Sequence, residues 1–234
     1  MVKIVYEPPS LADWVDTRLA CLDRLLVTIE RFLESAVKDL GEYIDGLLRN
    51  EDFVARLEAE MEEVFGYPVG IPDIRGDFEE EYWDLEEIFP DILRKSFFVT
   101  VYSFIEIVLE AICHREKREG SLSLSLGDLK GDGIGRSKVY LAKVACLSGL
   151  PFGGAEWNEI YSYYRVLRNC IVHDDSRLFK DMRPEEAERF EGYIRRTSGL
   201  ERLGRDRVVF RKGFCEEVLR TTRGFFDQLF KVHP

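Results

Sequence analysis

Residues 165 to 176, Arg-Val-Leu-Arg-Asn-Cys-Ile-Val-His-Asp-Asp-Ser, hold a guanidinium, a carboxamide and an imidazole in one short run. The chain has only three histidines, and histidine is the side chain that exchanges a proton near neutral pH without help from its surroundings. Acid/base chemistry at that pH therefore points to His173. Asn169 precedes His173 by one helical turn, where it can orient the ring or share a substrate with it. Arg168 diverges from His173 by about 140° on a continuous helix. Bringing both onto one phosphate needs the full reach of the arginine or a second copy of the helix. An arginine followed five positions later by histidine is a weak signal alone, and the bland reading is a helix whose solvent side holds Arg, Asn and His.

The element that must position these residues is a helix from Trp157 to His173. Ile160, Tyr163, Tyr164, Leu167 and Ile171 make its expected core face. Arg165, Asn169 and His173 fall at i, i+4 and i+8 as a polar stripe. Tyr161 and Val172 border that stripe, as the apolar margin of a buried dimer contact would. His173 with Asp174 and Asp175 suggests a metal site on paper, but adjacent acids at a helix end are more simply solvated, and no metal is expected. The glycines of Gly131-Asp132-Gly133-Ile134-Gly135 fit neither dinucleotide nor P-loop spacing. They read as a turn into a helix from Ser137 to Leu147, with Ser137 as its cap. No cofactor is expected.

The remaining pattern is mainly α. Val15, Leu19, Leu22, Leu26, Ile29, Leu33, Ala36 and Leu40 step by four and three, so Leu11 to Leu48 is expected as one helix with a coiled-coil-like seam. Ser10 and Asp13 supply a capping box at its start. A second helix near Asp52 to Phe65 completes a long acidic hairpin. The Gly- and Pro-rich segment 66–77 is loop chemistry and divides an N-terminal part, residues 1–75, from a helical domain, residues 76–234. Residues 77–91 hold eight acids and no base, either a solvated face or a patch for a basic partner. Ile92 to Arg118 is apolar nearly all round in its middle, as a helix at the centre of a bundle would be. Ser-Leu-Ser-Leu-Ser-Leu at 121–126 alternates like a short strand, and 207–210 is strand-like. Helices are expected from Pro184 to Arg196 and from Phe214 to Val232. The fold class is a helical bundle with at most a short β-hairpin.

Charge and composition narrow the functions. The net charge is −11, which disfavours DNA as a partner. Residues 1–95 hold 10 bases and 24 acids, whereas residues 96–234 hold 23 bases and 20 acids, so the motif lies in the basic part of an acidic chain. Seven bases lie between Arg195 and Lys212 (Arg195, Arg196, Arg202, Arg205, Arg207, Arg211, Lys212). With Tyr161, Tyr163 and Tyr193 they are candidates for a groove holding single-stranded RNA, or else exposed charges around a hairpin. Five scattered cysteines without a Cys-x-x-Cys pair argue against a disulfide framework and a zinc ribbon or finger, and favour free thiols in a reducing cytoplasm. The apolar run Ser96 to Cys113 carries Glu106 and Glu110. Each would cost roughly 2.5–3.5 kcal/mol at mid-bilayer, so a soluble protein without a membrane partner is expected.

The run Tyr-Arg-Val-Leu-Arg-Asn-Cys-Ile-Val-His at 164–173 resembles the signature of the HEPN superfamily of α-helical domains, and residues 97–110 look like the long first helix of such domains. The resemblance covers roughly residues 90–230. It implies a metal-independent endoribonuclease of toxin or phage-defence type, acting on single-stranded RNA in a homodimer whose motifs face each other. By that resemblance Arg168 contacts phosphate, Asn169 is the polar second residue and His173 the acid/base. Arg165 and Lys138 are the accompanying candidates for substrate binding. An antitoxin or nucleotidyltransferase-like partner is a further implication. The alternative is a non-catalytic HEPN-like module for dimerisation, RNA binding or protein interaction.

Overall fold

A computed structural model describes residues 10–66, 78–131, 133–180 and 182–233. The protein is mainly helical, with one two-stranded antiparallel sheet among the described residues. It divides into two compact units, Val27–Leu93 and a larger one made of Met1–Leu26 with Arg94–Pro234. The boundary expected at 75/76 falls in segment 67–77, outside the described residues.

Helix α1 (Leu11–Leu48) starts where the sequence says it should. The Ser10 hydroxyl accepts from the Asp13 amide at 3.1 Å, while the Asp13 carboxylate accepts from the Ser10 amide at 3.3 Å. Two of the amides a helix start leaves unpaired are thereby satisfied. The four-three spacing of its leucines becomes a buried stripe, with Val15, Leu19, Leu22 and Leu26 in the larger unit and Leu33 and Ile44 in the smaller. In the smaller unit α2 (Glu51–Phe65) is capped by Asn50, whose side chain accepts from the Phe53 amide at 3.0 Å. Gly66, at φ +75°, ends it with its amide on the Glu62 carbonyl. Val54 is buried there against Leu48, Phe53 and Leu57. A turn of helix (Glu79–Trp83) and a π-helical turn (Asp84–Ile88) lead into α3 (Phe89–Glu119).

The core of the larger unit is built around α3. Phe97, Phe98, Val101, Tyr102, Phe104, Ile105, Val108, Leu109, Ile112 and Cys113 are all buried, which covers more than one face of the helix. By length and hydropathy Glu81–Glu119 could cross a membrane, yet these apolar side chains lie inside the protein core. Phe98 sits edge-on to both Tyr164 and Phe210, with centroids at 5.7 and 5.4 Å, and Phe214 lies 4.5 Å from Phe210. Such aromatic pairs add about 0.5–1.5 kcal/mol each beyond the area they bury. They lock together α3, the motif helix, the sheet and the last helix.

Two local expectations are corrected. Residues 121–126 form no strand. Instead a 3₁₀ turn, Leu126–Asp128, is closed by the Asp128 carboxylate on the Ser125 amide at 2.7 Å, and the Tyr140 hydroxyl donates to the Leu124 carbonyl at 2.9 Å. Period two needs a partner strand, and only Leu126 of the run is buried. Ser137 is no cap either, because α4 (Gly133–Val139) begins a turn earlier. Its hydroxyl is buried and bonds back to the Gly133 carbonyl. Gly133 stands at φ +46°, and a Cβ there would lie 2.6 Å from Glu106 Oε1. Glycine alone lets that carboxylate approach the helix start.

Candidate active site

The motif helix is not a continuous α-helix. It runs as α5 (Ala155–Glu159), a π turn (Ile160–Tyr164) and α6 (Arg165–His173). In the π turn the Arg165 amide donates to the Ile160 carbonyl, five residues back. Single π turns of this kind concentrate at functional sites. Trp157, Ile160, Tyr164, Leu167 and Cys170 are buried and hold the helix against the core. Tyr163, expected in the core, is half-buried and stacks on Tyr193 with centroids 4.0 Å apart. Burial pushes the Cys170 thiol up to about 12. The cysteine inside the motif is therefore a packing residue and no nucleophile.

The predicted site residues lie along the outer side of α6. Arg168 donates from Nη1 to the Asn169 carboxamide at 3.2 Å, while its buried Nε has no partner. Asn169 and His173 are exposed, one turn apart on regular α-helix. His173 makes no hydrogen bond or ion pair among the described residues. Arg165 and Lys138, which come from different elements, converge on one ring: the Arg165 guanidinium lies 4.9 Å and the Lys138 ammonium 5.5 Å from the Tyr161 centroid. Arg165 Nε also donates to the Tyr161 carbonyl at 3.3 Å, and Tyr161 stacks on buried Trp157. The Tyr161 ring packs against the backbone at Gly135, 3.5 Å from where a Cβ would be, an ordinary van der Waals contact. No local pattern reports that Lys138, in the last turn of α4, and Arg165 would share this ring.

The C-terminal end of α6 is tied down unusually. Asp175 and Ser176 both adopt left-handed backbone, φ +50° and +63°. Such a conformation costs a non-glycine residue about 1 kcal/mol or more. The turn persists because both the Asp174 and Ser176 amides bond to the Cys170 carbonyl, and the Val208 amide bonds to the Ser176 carbonyl at 3.0 Å. Arg207 adds an ion pair to Asp175 at 2.8 Å. The strands β1 (Leu200–Leu203) and β2 (Arg207–Phe210) pair with Leu200 opposite Phe210. They thus anchor the end of the helix that carries His173.

Several of the bases between Arg195 and Lys212 are engaged within the chain. Arg195 and Arg202 pair with Glu191, Arg207 with Asp175 and Arg211 with Glu201. Arg196 lies over the Tyr163 and Tyr193 rings. Tyr193, on α7 (Pro184–Arg196), is fully buried and cannot stack on a base. Among the described residues no group of three or more His, Cys, Asp or Glu is arranged to hold a metal ion. Comparison with known proteins finds no matching family model, no matching curated protein and no matching solved structure.

Proposed function

We propose that this protein is a cytoplasmic, metal-independent endoribonuclease of HEPN type that cuts single-stranded RNA in a cleft shared by two copies of the motif helix. One observation carries this reading. Lys138, Arg165 and Arg168 make no ion pair with an acid among the described residues, and they gather along the helix that presents Asn169 and His173. Unpaired cations beside an exposed imidazole are what an anionic, proton-exchanging substrate requires.

In the proposed reaction the ribose 2′-hydroxyl attacks the adjacent phosphorus and loses its proton to one imidazole. The 5′-oxygen leaves and takes a proton from a second acid, for which His173 of the other copy is the candidate. Arg168 neutralises charge on the phosphate oxygens. The products are a 2′,3′-cyclic phosphate and a 5′-hydroxyl. The exposure of His173 supports the need for a second copy, since nothing among the described residues of one chain fixes its ring. A toxin or phage-defence setting with an antitoxin or nucleotidyltransferase-like partner follows from the same resemblance.

Exposure of His173 also favours a second reading, a non-catalytic module in which the helix builds a dimer or retains RNA. Incubation of single-stranded RNA with the protein in EDTA separates the two. The nuclease reading expects cyclic-phosphate ends with the wild type and none with His173→Ala. Equal cleavage by the variant removes the catalytic assignment. No cleavage by either, with RNA retention or dimerisation weakened in Arg168→Ala, establishes the module.

A further inference from the structure

A groove of about 530 Å³ lies between the start of α1 and the middle of α3, wholly within the larger unit and sharing no residue with the motif. Its walls are Trp14, Leu22 and Leu25 from α1 and Val99, Phe104 and Ile107 from α3. Leu22 and Phe104 are buried and close its base, with Phe104 edge-on to Phe226 of α8 (Phe214–Val232) at 5.8 Å. Trp14 packs against Phe104 at 5.5 Å yet stays 37% exposed, and Leu25 and Ile107 are 47 and 55% exposed. Scattered exposed apolar residues need no explanation, but these line one concavity of the size that takes a small molecule.

The polar groups of the groove narrow the kind of molecule. They come from Arg18, Cys21, Thr100 and Ser103. The Thr100 hydroxyl donates to the Ser96 carbonyl at 2.9 Å, and Cys21 Sγ accepts from Arg24 at 3.1 Å, so both are engaged within their own helices. Arg18 and Ser103 make no side-chain hydrogen bond or ion pair among the described residues. No acid lines the groove, although the chain carries a net charge of −11. A guanidinium beside an apolar wall, with no carboxylate opposite it, is complementary to a ligand with one anionic end. A second copy packed here about a twofold axis would instead bring another Arg18 to a lining that has no acid to offset it.

We propose that this groove binds a free amphipathic monocarboxylate, its hydrocarbon chain between Trp14, Leu25 and Ile107 and its carboxylate on Arg18, with the Ser103 hydroxyl as a further donor. The guanidinium fork meets both oxygens of a carboxylate, and an ionised acid accepts what Arg18 and Ser103 have left to donate. The hydrocarbon chain covers apolar surface that the fold leaves in water, each methylene contributing in proportion to the area removed. The inference goes beyond the ribonuclease reading and stands without it, because it uses none of the residues assigned to cleavage.

The test titrates the full-length protein at neutral pH with hexanoate, octanoate and decanoate below their micelle concentrations, reading affinity by calorimetry and location by the Trp14 indole signal in NMR. Each should bind one to one and shift that signal, with Kd falling about two- to fourfold for every added methylene. Octanol and octyltrimethylammonium, with the same tail but no negative charge, should bind about tenfold more weakly than octanoate. Arg18→Gln should weaken octanoate binding about tenfold and leave octanol unchanged, while Lys38→Gln, in the smaller unit, should change neither. Octanoate that leaves the Trp14 signal unmoved, or that binds folded Arg18→Gln as tightly as the wild type, overturns the proposal. So does an Ile107→Glu protein that loses its oligomeric state in sedimentation while the wild type ignores octanoate, the result expected of a face covered by a second copy.

Discussion

Two regions of the larger unit are rich in arginine and lysine, and their cations meet opposite fates. Along β1, β2 and the end of α7, Arg195, Arg202, Arg207 and Arg211 are each ion-paired with a nearby acid. Along the motif helix, Lys138 and Arg165 rest on the Tyr161 ring and Arg168 on the Asn169 carboxamide, with no acid paired to them among the described residues. Counting bases in the sequence favours the first region. Counting the cations that a phosphate chain could neutralise favours the second. An exposed ion pair is worth little to stability, about 0–1 kcal/mol, but it occupies the charge that an RNA backbone would otherwise recruit.

The contrast is sharpest for a pair of single substitutions. Arg168→Ala is expected to lower kcat/KM for single-stranded RNA by about 10²–10³, the usual cost of removing one group that stabilises transition-state charge. Arg207→Ala breaks only a surface pair with Asp175, and its effect on the rate should stay near twofold. Initial rates measured side by side in EDTA decide the matter. Equal losses would erase the distinction between the two regions. The next effect is on affinity. For single strands each neutralised phosphate contributes about 0.7 to the salt slope, so removing Lys138 and Arg165 together should flatten log Kd against log salt by about 1.4. Removing Arg202 and Arg211 together should leave the slope unchanged.

Much of this scaffold was legible in the residues. Pro184 followed by Glu185 and Glu186 marks the start of α7, and α8 spans the expected Phe214–Val232 because Gly213, at φ +100°, gives it a clean start. Ser10 and Asp13 announce α1. What stayed hidden depends on groups distant in sequence. The start of α4 at Gly133 packs against Glu106, distant in sequence, and no local pattern reports that. The π turn has no residue signature, since its defining bond skips one position further than a regular helix. The pairing of Arg202 with Glu191 crosses from the sheet to α7, which engages part of a basic stretch of sequence with an acid distant from it. The motif stripe was readable because α6 is regular from Arg165 onward, so i and i+4 positions face the same way.

A smaller effect tests the inward side of the motif helix. An unfolded cysteine ionises near its ordinary value of 9, while burial holds Cys170 neutral up to about 12. The folded state thus binds a proton that the unfolded chain has lost. The stability from this group is complete below pH 9 and declines as pH climbs from 9 toward 12. Cys170→Ala should flatten that decline in urea unfolding followed across this window, whatever it does to stability at pH 7. An unchanged slope would mean the thiol is not protected as its burial requires.

The smallest effect concerns the strained turn that follows His173. Ser176 occupies left-handed backbone at a cost of about 1–2 kcal/mol, which glycine avoids while forfeiting about 0.5–1 kcal/mol of chain entropy. Ser176→Gly should therefore raise stability by about 0.5 kcal/mol, whereas Ala111→Gly in the middle of α3 should lower it by about 1 kcal/mol. The Val208 amide can still reach the carbonyl at position 176, so the tie to β2 survives the change. What disappears is the steric limit on the turn, and with it part of the restraint on the end of α6. If that restraint helps aim His173, Ser176→Gly gains stability and loses cleavage rate together. A variant that is more stable and equally active would separate the strained turn from the chemistry and leave it as a device of the fold alone.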